Sequence, residues 1–146
     1  MNYRLVLDAN VFASSLINPK GPPGIIVSEI INNPCFTLLL SEPILEELKR
    51  ILFYPKVRKR IMHTDQDLEL WILSLQLIAH IVIPKFTYPI LVEDDPTDDK
   101  YIVTGIEGGS HFIISGDKHL LNLKTYQGIK IITAAEFLNI LTVEKK

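Results

Sequence analysis

The chain has 146 residues, 47% of them hydrophobic and 22% charged, which suits one globular domain and excludes a disordered chain. A formal charge of −2, from 15 basic against 17 acidic residues, excludes a strongly basic nucleic-acid protein, so contact with nucleic acid has to come from a local patch. A lone cysteine, Cys35, excludes an internal disulfide and a Cys-rich zinc site.

Taken in order, Tyr3–Leu7 is a short apolar run that predicts a buried strand ending at Asp8. Asp8 or Asn10 is placed to cap a helix reaching about Ile17. Asn18–Gly24 is rich in Pro and Gly and predicts a loop, with a helix following from Ile25 to the Asn32-Asn33-Pro34 stop. Phe36–Leu40 predicts a second strand. Ser41 is an N-cap candidate for a helix carrying Ile44, Leu45, Leu48, Ile51 and Leu52, which Tyr54-Pro55 ends or kinks. Thr64 with Asp67 resembles a capping box for the next helix, and His80–Ile83 predicts a short strand or loop.

Asp98 to about Ile106 is helical in pattern, with Gly108-Gly109 as its stop. His111–Ser115 predicts an apolar strand, Leu120–Leu123 a short helix or turn, and Lys130–Ile132 the last strand. Thr133 and Glu136 form a capping box for a final helix to Leu141. Strands alternating with helices, several strands apolar throughout, predict an α/β fold with helices on both faces of a mainly parallel sheet. There is no repeat, linker or low-complexity segment, so residues 1–146 are expected to form a single domain. No apolar run reaches the roughly 18 residues that span a membrane, and the N-terminus makes a poor signal peptide; cytoplasm is the expected location.

The acids are the informative residues. In such a sheet, ligands bind outside the carboxyl ends of the strands. Asp8 ends the first strand and Asp117 lies two residues past the 111–115 strand. Asp94, Asp95, Asp98 and Asp99 precede or open a helix, and Glu46 and Glu47 follow the second strand. Four segments thus deliver carboxylates to one rim. Two carboxylates 4 Å apart at an effective dielectric near 20 repel by roughly 4 kcal/mol, so such a cluster calls for protons or a cation. Hard oxygen ligands favour Mg²⁺ or Mn²⁺ and metal-assisted hydrolysis of a phosphate ester.

Ordinary structural roles compete with that chemistry. Asp8 and Asp117 are also cap or turn residues, Asp98 and Asp99 are also first-turn acids favoured by the helix dipole, and Glu46 or Glu47 belongs to a solvated face. His63, His80, His111 and His119 lack metal-ligand spacing. Lys49, Arg50, Lys56, Arg58, Lys59 and Arg60 form the one basic concentration, either a solvated face or an RNA-backbone contact.

Leu5-Val-Leu-Asp8-Ala-Asn10-Val-Phe, Glu47 in Leu45-Glu-Glu-Leu, Asp95-Pro-Thr-Asp98-Asp99 and Ser115-Gly-Asp117-Lys-His-Leu-Leu together resemble the PIN domain. Within it they resemble the toxin components of bacterial and archaeal toxin–antitoxin systems. The resemblance extends over essentially the whole chain, through Ile131-Ile-Thr-Ala-Ala-Glu136-Phe-Leu. It implies a three-layer α/β/α sandwich and a metal-dependent ribonuclease. Carried over, Asp8, Glu47, Asp98 and Asp117 are the acidic quartet that holds Mg²⁺ or Mn²⁺, with Asn10 and Ser115 as polar helpers. It also implies an RNA substrate, an antitoxin partner and a homodimer or higher assembly.

Helical periodicity does not choose between Asp98 and Asp99, which flank the apolar face almost symmetrically; the family pattern selects Asp98, seven residues before Gly105. Gly105 departs from the alanine that similar chains commonly carry. The competing functions are a haloacid-dehalogenase-like phosphatase, which lacks its usual second Asp because that position is Asn10, and a non-catalytic binding module whose acids serve only as caps.

Overall fold

A computed structural model describes residues 2–144. Strand β1 (Tyr3–Leu7) is followed by helices α1 (Ala9–Ile17) and α2 (Pro22–Asn32), then β2 (Phe36–Leu40). Helices α3 (Glu42–Leu52), α4 (Pro55–Arg58) and α5 (Asp65–Ile78) lead to β3 (His80–Ile81). A 3-10 turn (Pro96–Asp98) runs into α6 (Asp99–Gly108) and β4 (Phe112–Ile114). Helix α7 (Lys118–Leu121), β5 (Thr125–Tyr126), β6 (Ile129–Ile132) and α8 (Ala134–Glu144) complete the order.

The six strands form one sheet in the order β3-β2-β1-β4-β6-β5. All neighbours are parallel except β5 and β6. Starting from β1 the chain first moves outward through β2 and β3, then returns to the other side of β1 with β4 and continues to β6. The direction therefore reverses between β1 and β4, where Leu7 is in register with Ile114. In open α/β sheets that reversal opens a crevice at the carboxyl ends of the strands.

Both faces of the sheet are covered. Tyr3, Phe36 and Phe112 meet Phe137 of α8 on one face, with ring centroids 5.3–6.1 Å apart. Leu39 and Ile113, pointing the other way, lie against Gly108 and Gly105 of α6. Strand residues alternate between faces, so this division makes a three-layer α/β/α sandwich, as expected. Double coverage explains why Leu5, Val6 and Leu7 are all fully buried.

The differences from expectation have local causes. Pro22 and Pro23 belong to the first turn of α2 and not to a loop, because a helix start needs no N–H from its first residues. A Cβ on Gly24 would lie 2.3 Å from the Pro19 carbonyl oxygen, so glycine lets the preceding loop pack directly on that turn. Helix α3 ends at Leu52, ahead of Tyr54-Pro55 as expected, but Pro55 also starts the short α4, which was not anticipated. Ser41 precedes α3 but makes no cap bond; its hydroxyl is 2.8 Å from Thr104 Oγ1 on α6. Strand β5, not anticipated, pairs with β6 through Gln127-Gly128, both at positive φ, the geometry of a tight hairpin turn. Among the described residues no helix is long and apolar enough to cross a membrane.

Candidate active site

Asp8 leaves β1 at the crevice. Its backbone N–H donates to the Ile114 carbonyl at 2.9 Å, so the ladder between β1 and β4 continues to this residue. The carboxylate is 2% exposed and caps α1, accepting the Asn10 N–H at 3.0 Å on Oδ1 and the Ser115 hydroxyl at 2.7 Å on Oδ2. Burial pushes its pKa up; the two hydrogen bonds oppose this, and the charges of Glu47 and Asp117 add to it.

Ser115 links two acids. While it donates to Asp8, its oxygen accepts the Asp117 N–H at 2.9 Å. Asp117 in turn caps α7 through the His119 N–H at 2.8 Å. The capping roles weighed for Asp8 and Asp117 are therefore real, and each leaves the carboxylate at the rim.

Asp95, Asp98 and Asp117 each present an oxygen within 4.8 Å of the others. Asp95 and Asp98 come together because the chain between them is a 3-10 turn, in which residues three apart eclipse. Asp95 is fixed by the Thr97 N–H at 3.2 Å and the Thr97 hydroxyl at 2.5 Å, and that hydroxyl holds its pKa below the ordinary carboxylate value.

Asp98 is 6% exposed, and its Oδ2 is buried with no hydrogen-bond partner among the described residues. Burial raises its pKa to about 7, helped by the charges of Asp117, Asp95, Asp8 and Glu47 in that order. A buried carboxylate oxygen without a donor forfeits its solvation, about 1–3 kcal/mol or more. The buried oxygen, the surrounding negative charge and the all-carboxylate donor set together fit a hard divalent cation.

Glu47, on α3, is differently placed. Tyr101 donates its hydroxyl to one oxygen, and Lys100 Nζ lies 2.5 Å from the other, with an Arg50 nitrogen at 3.6 Å. The fully buried Tyr101 hydroxyl also accepts the Ala9 N–H at 3.1 Å, which ties α6 to the start of α1. Burial, then the charges and hydrogen bond of its neighbours, pushes the Tyr101 pKa up, so the ring stays a neutral donor. Asp8 and Glu47 thus border the trio of Asp95, Asp98 and Asp117, and do not belong to it.

The sequence places Asp95 among the rim acids without assigning it as a ligand, and it does not single out Lys100 or Tyr101. The two-residue gap in Asp95-Pro-Thr-Asp98 was the available signal for the first; nothing local marked the other two. Asn10 contributes its backbone N–H to Asp8 and lines an adjoining cleft. The basic concentration divides. Arg58 is engaged internally, bonding Asp65 at 2.6 Å and the carbonyls of Ile61 and His63, whereas Lys49, Arg50, Lys56, Lys59 and Arg60 remain exposed.

Residues 4–119 match the family model described as PIN domain. The chain belongs to the PIN domain family. An uncharacterized protein of Methanocaldococcus jannaschii is 31% identical over 121 residues, covering 83% of this chain and 75% of that protein. PIN domains are generally nucleases and typically use divalent metals, and the acidic trio of this PIN domain is compatible with both.

Proposed function

We propose that this PIN domain is an endoribonuclease dependent on Mg²⁺ or Mn²⁺. The observation that carries the reading is Asp98: a buried carboxylate oxygen without a donor, inside a cluster of like charge, at the crevice where the strand order reverses.

Asp95, Asp98 and Asp117 would hold the ion, with Asp8 and Glu47 at its border. The chemistry a bound divalent ion supplies is neutralisation of the phosphodiester and activation of water. The rest falls to the chain itself. Ser115 and the Asn10 N–H fix Asp8 in one rotamer, which leaves it a defined acceptor for a proton from attacking water. Tyr101 and Lys100 fix Glu47, and the Lys100 ammonium brings positive charge to the edge of the acidic rim, where a phosphate has to approach.

The roles of Asp8, Glu47, Asp98, Asp117, Asn10 and Ser115 rest on this geometry and on the PIN motifs. The toxin role, an antitoxin partner and self-association rest on the resemblance to toxin components. Growth arrest on expression, and its reversal by a co-expressed partner, test the first two; sedimentation tests the third.

The deciding experiment is cleavage of mixed RNA by wild type and Asp98→Asn with Mn²⁺ or with EDTA. Wild type should cut only with metal, and the variant should not cut while folding normally. Cleavage that survives EDTA would overturn the metal mechanism.

A further inference from the structure

The acidic rim holds more negative charge than one divalent ion can offset. Asp117, Asp95, Asp8 and Glu47 all act on the Asp98 carboxyl, so these acids share one region. An ion of double positive charge leaves most of that field in place, and a phosphodiester adds to it. An RNA strand therefore needs a cation of the protein beside the metal site.

Lys100 supplies one from a position that local structure disfavours. It lies in the first turn of α6, where the helix dipole opposes a cation, and its side chain is only 16% exposed. A charge so placed is costly unless paired, and the pairing falls to Glu47. Lys100 Nζ lies 2.5 Å from Glu47 Oε2, and Tyr101 donates to Glu47 Oε1. Both Glu47 oxygens are thus taken, unlike Asp98 Oδ2. Tyr101 is itself fixed by the Ala9 N–H, so the whole relay is rigid. An ammonium has three N–H donors; one serves Glu47, and the other two have no acceptor among the described residues. The Lys100 charge reaches Asp95, whose pKa it helps to lower, so the ammonium borders the acidic trio. Arg50, 3.6 Å from the same Glu47 oxygen and 73% exposed, carries positive charge outward from there.

We propose that Lys100 binds the RNA phosphate next to the one cleaved at Asp95, Asp98 and Asp117, and that Glu47 is the positioning residue that holds it and not a metal ligand. The proposal rests on the nuclease reading above and adds a substrate contact to it. Glu47 lies outside the trio, so the ammonium it fixes stands beside the reacting phosphodiester and meets the neighbouring one. A contact to a phosphate that does not react strengthens ground state and transition state alike. Its loss raises KM and leaves kcat.

The cut is first mapped on one single-stranded RNA oligonucleotide with Mn²⁺. Rates are then measured for wild type, Lys100→Met, Lys100→Arg, Glu47→Gln and the Lys100→Met/Glu47→Gln double variant. The substrates are that oligonucleotide and copies with one uncharged methylphosphonate linkage beside the cut. Mn²⁺ binding by calorimetry, and oligonucleotide binding in EDTA at several salt concentrations, are measured on the same preparations, shown to be folded by circular dichroism.

Lys100→Met should raise KM about 10-fold with kcat within about threefold, and bind Mn²⁺ like wild type. Its salt slope in EDTA should fall by about 0.7, the value of one phosphate contact on a single strand. Lys100→Arg keeps the charge and should hold KM within about threefold. Glu47→Gln should raise KM with Mn²⁺ affinity within about threefold, and the double variant should be no worse than Lys100→Met. One methylphosphonate beside the cut should cost wild type about 10-fold in KM and Lys100→Met less than about twofold. Equal methylphosphonate losses in the two proteins overturn the phosphate contact, and Mn²⁺ affinity lost in Glu47→Gln overturns the positioning role; both leave the nuclease reading intact. Wild type that cuts no RNA with Mn²⁺ overturns the nuclease reading and this contact with it.

Discussion

Asp99 and Glu107, both on α6, have carboxylates filled by the segment that crosses in front of the helix. Asp99 accepts the N–H groups of Leu91 and Val92 at 3.0 and 2.8 Å. Glu107 accepts those of Lys85 and Phe86 at 2.8 and 3.1 Å, together with the Tyr88 hydroxyl. Asp98, one residue before Asp99, instead faces Asp95 and Asp117 with a buried oxygen that has no donor. The contrast separates two uses of the same chemical group. A carboxylate saturated by backbone donors holds a loop; a buried carboxylate short of donors among like charges is prepared for a cation.

The largest effect should come from neutralising the second kind. Asp98→Asn and Asp117→Asn should each lower metal-dependent cleavage by roughly two to three orders of magnitude. They should also weaken Mn²⁺ binding, measured by calorimetry on the folded variants. Stability in EDTA should stay level or rise, since each change removes repulsion.

The titration of Asp98 gives that contrast a pH signature. Its folded pKa of about 7 lies above the ordinary carboxyl value of 3.8. Between those values the folded state holds the extra proton, so stability is present at low pH and is lost as pH rises toward and through 7. Metal-free protein should melt at progressively lower temperature from pH 5 to 8. Asp98→Asn should flatten that slope, and added Mn²⁺ should reverse it. A flat wild-type profile would contradict the predicted strain at Asp98.

Asp99→Asn should do the opposite of Asp98→Asn. It replaces a double acceptor to two backbone donors, so stability should fall by about 1–3 kcal/mol while turnover stays within a few-fold. Denaturant melts and initial rates on the same preparations check both. The reverse ranking would place the third metal ligand at Asp99.

A smaller version of the comparison runs through the basic residues. Arg58→Ala should lower stability, because that guanidinium bonds Asp65 and two carbonyls. Neutralising Lys56 or Lys59 should leave stability alone and reduce the salt dependence of RNA binding by about one slope unit per lost phosphate contact. An unchanged slope makes that face a solvated surface only.

The smallest effect is expected at Gly105→Ala. A Cβ there would meet the Ile113 and Ile129 methyl ends at 3.2 and 3.4 Å. Those ends can rotate, so crowding should offset most of the roughly 1 kcal/mol gained in helix propensity. Thermal melts should change by no more than a degree or two, and cleavage not at all.

The alternation of apolar strands and helices was legible because burial on both faces demands continuous apolar runs, and Leu5-Val6-Leu7 and Phe112-Ile113-Ile114 supply them. The acids after β1 and β4 were legible for a related reason: a charge that directly follows a buried strand has to emerge at the rim. Short and non-local features were not. Strand β5 is two residues long and exists only because Gln127 and Gly128 turn it back onto β6.

The partition of acids between ligands and structural caps also lay outside sequence periodicity, since Asp98 and Asp99 are equivalent on a helical wheel. It was decided by which donors the fold brings to each. The 85–92 segment meets Asp99 and Glu107, Tyr101 and Lys100 meet Glu47 across 53 or 54 residues of chain, and no donor among the described residues meets Asp98 Oδ2. Sequence determined the layers and the rim, because hydrophobic burial is a local pattern; only tertiary structure determined which carboxylate lacks a donor, because hydrogen-bond supply comes from distant parts of the chain.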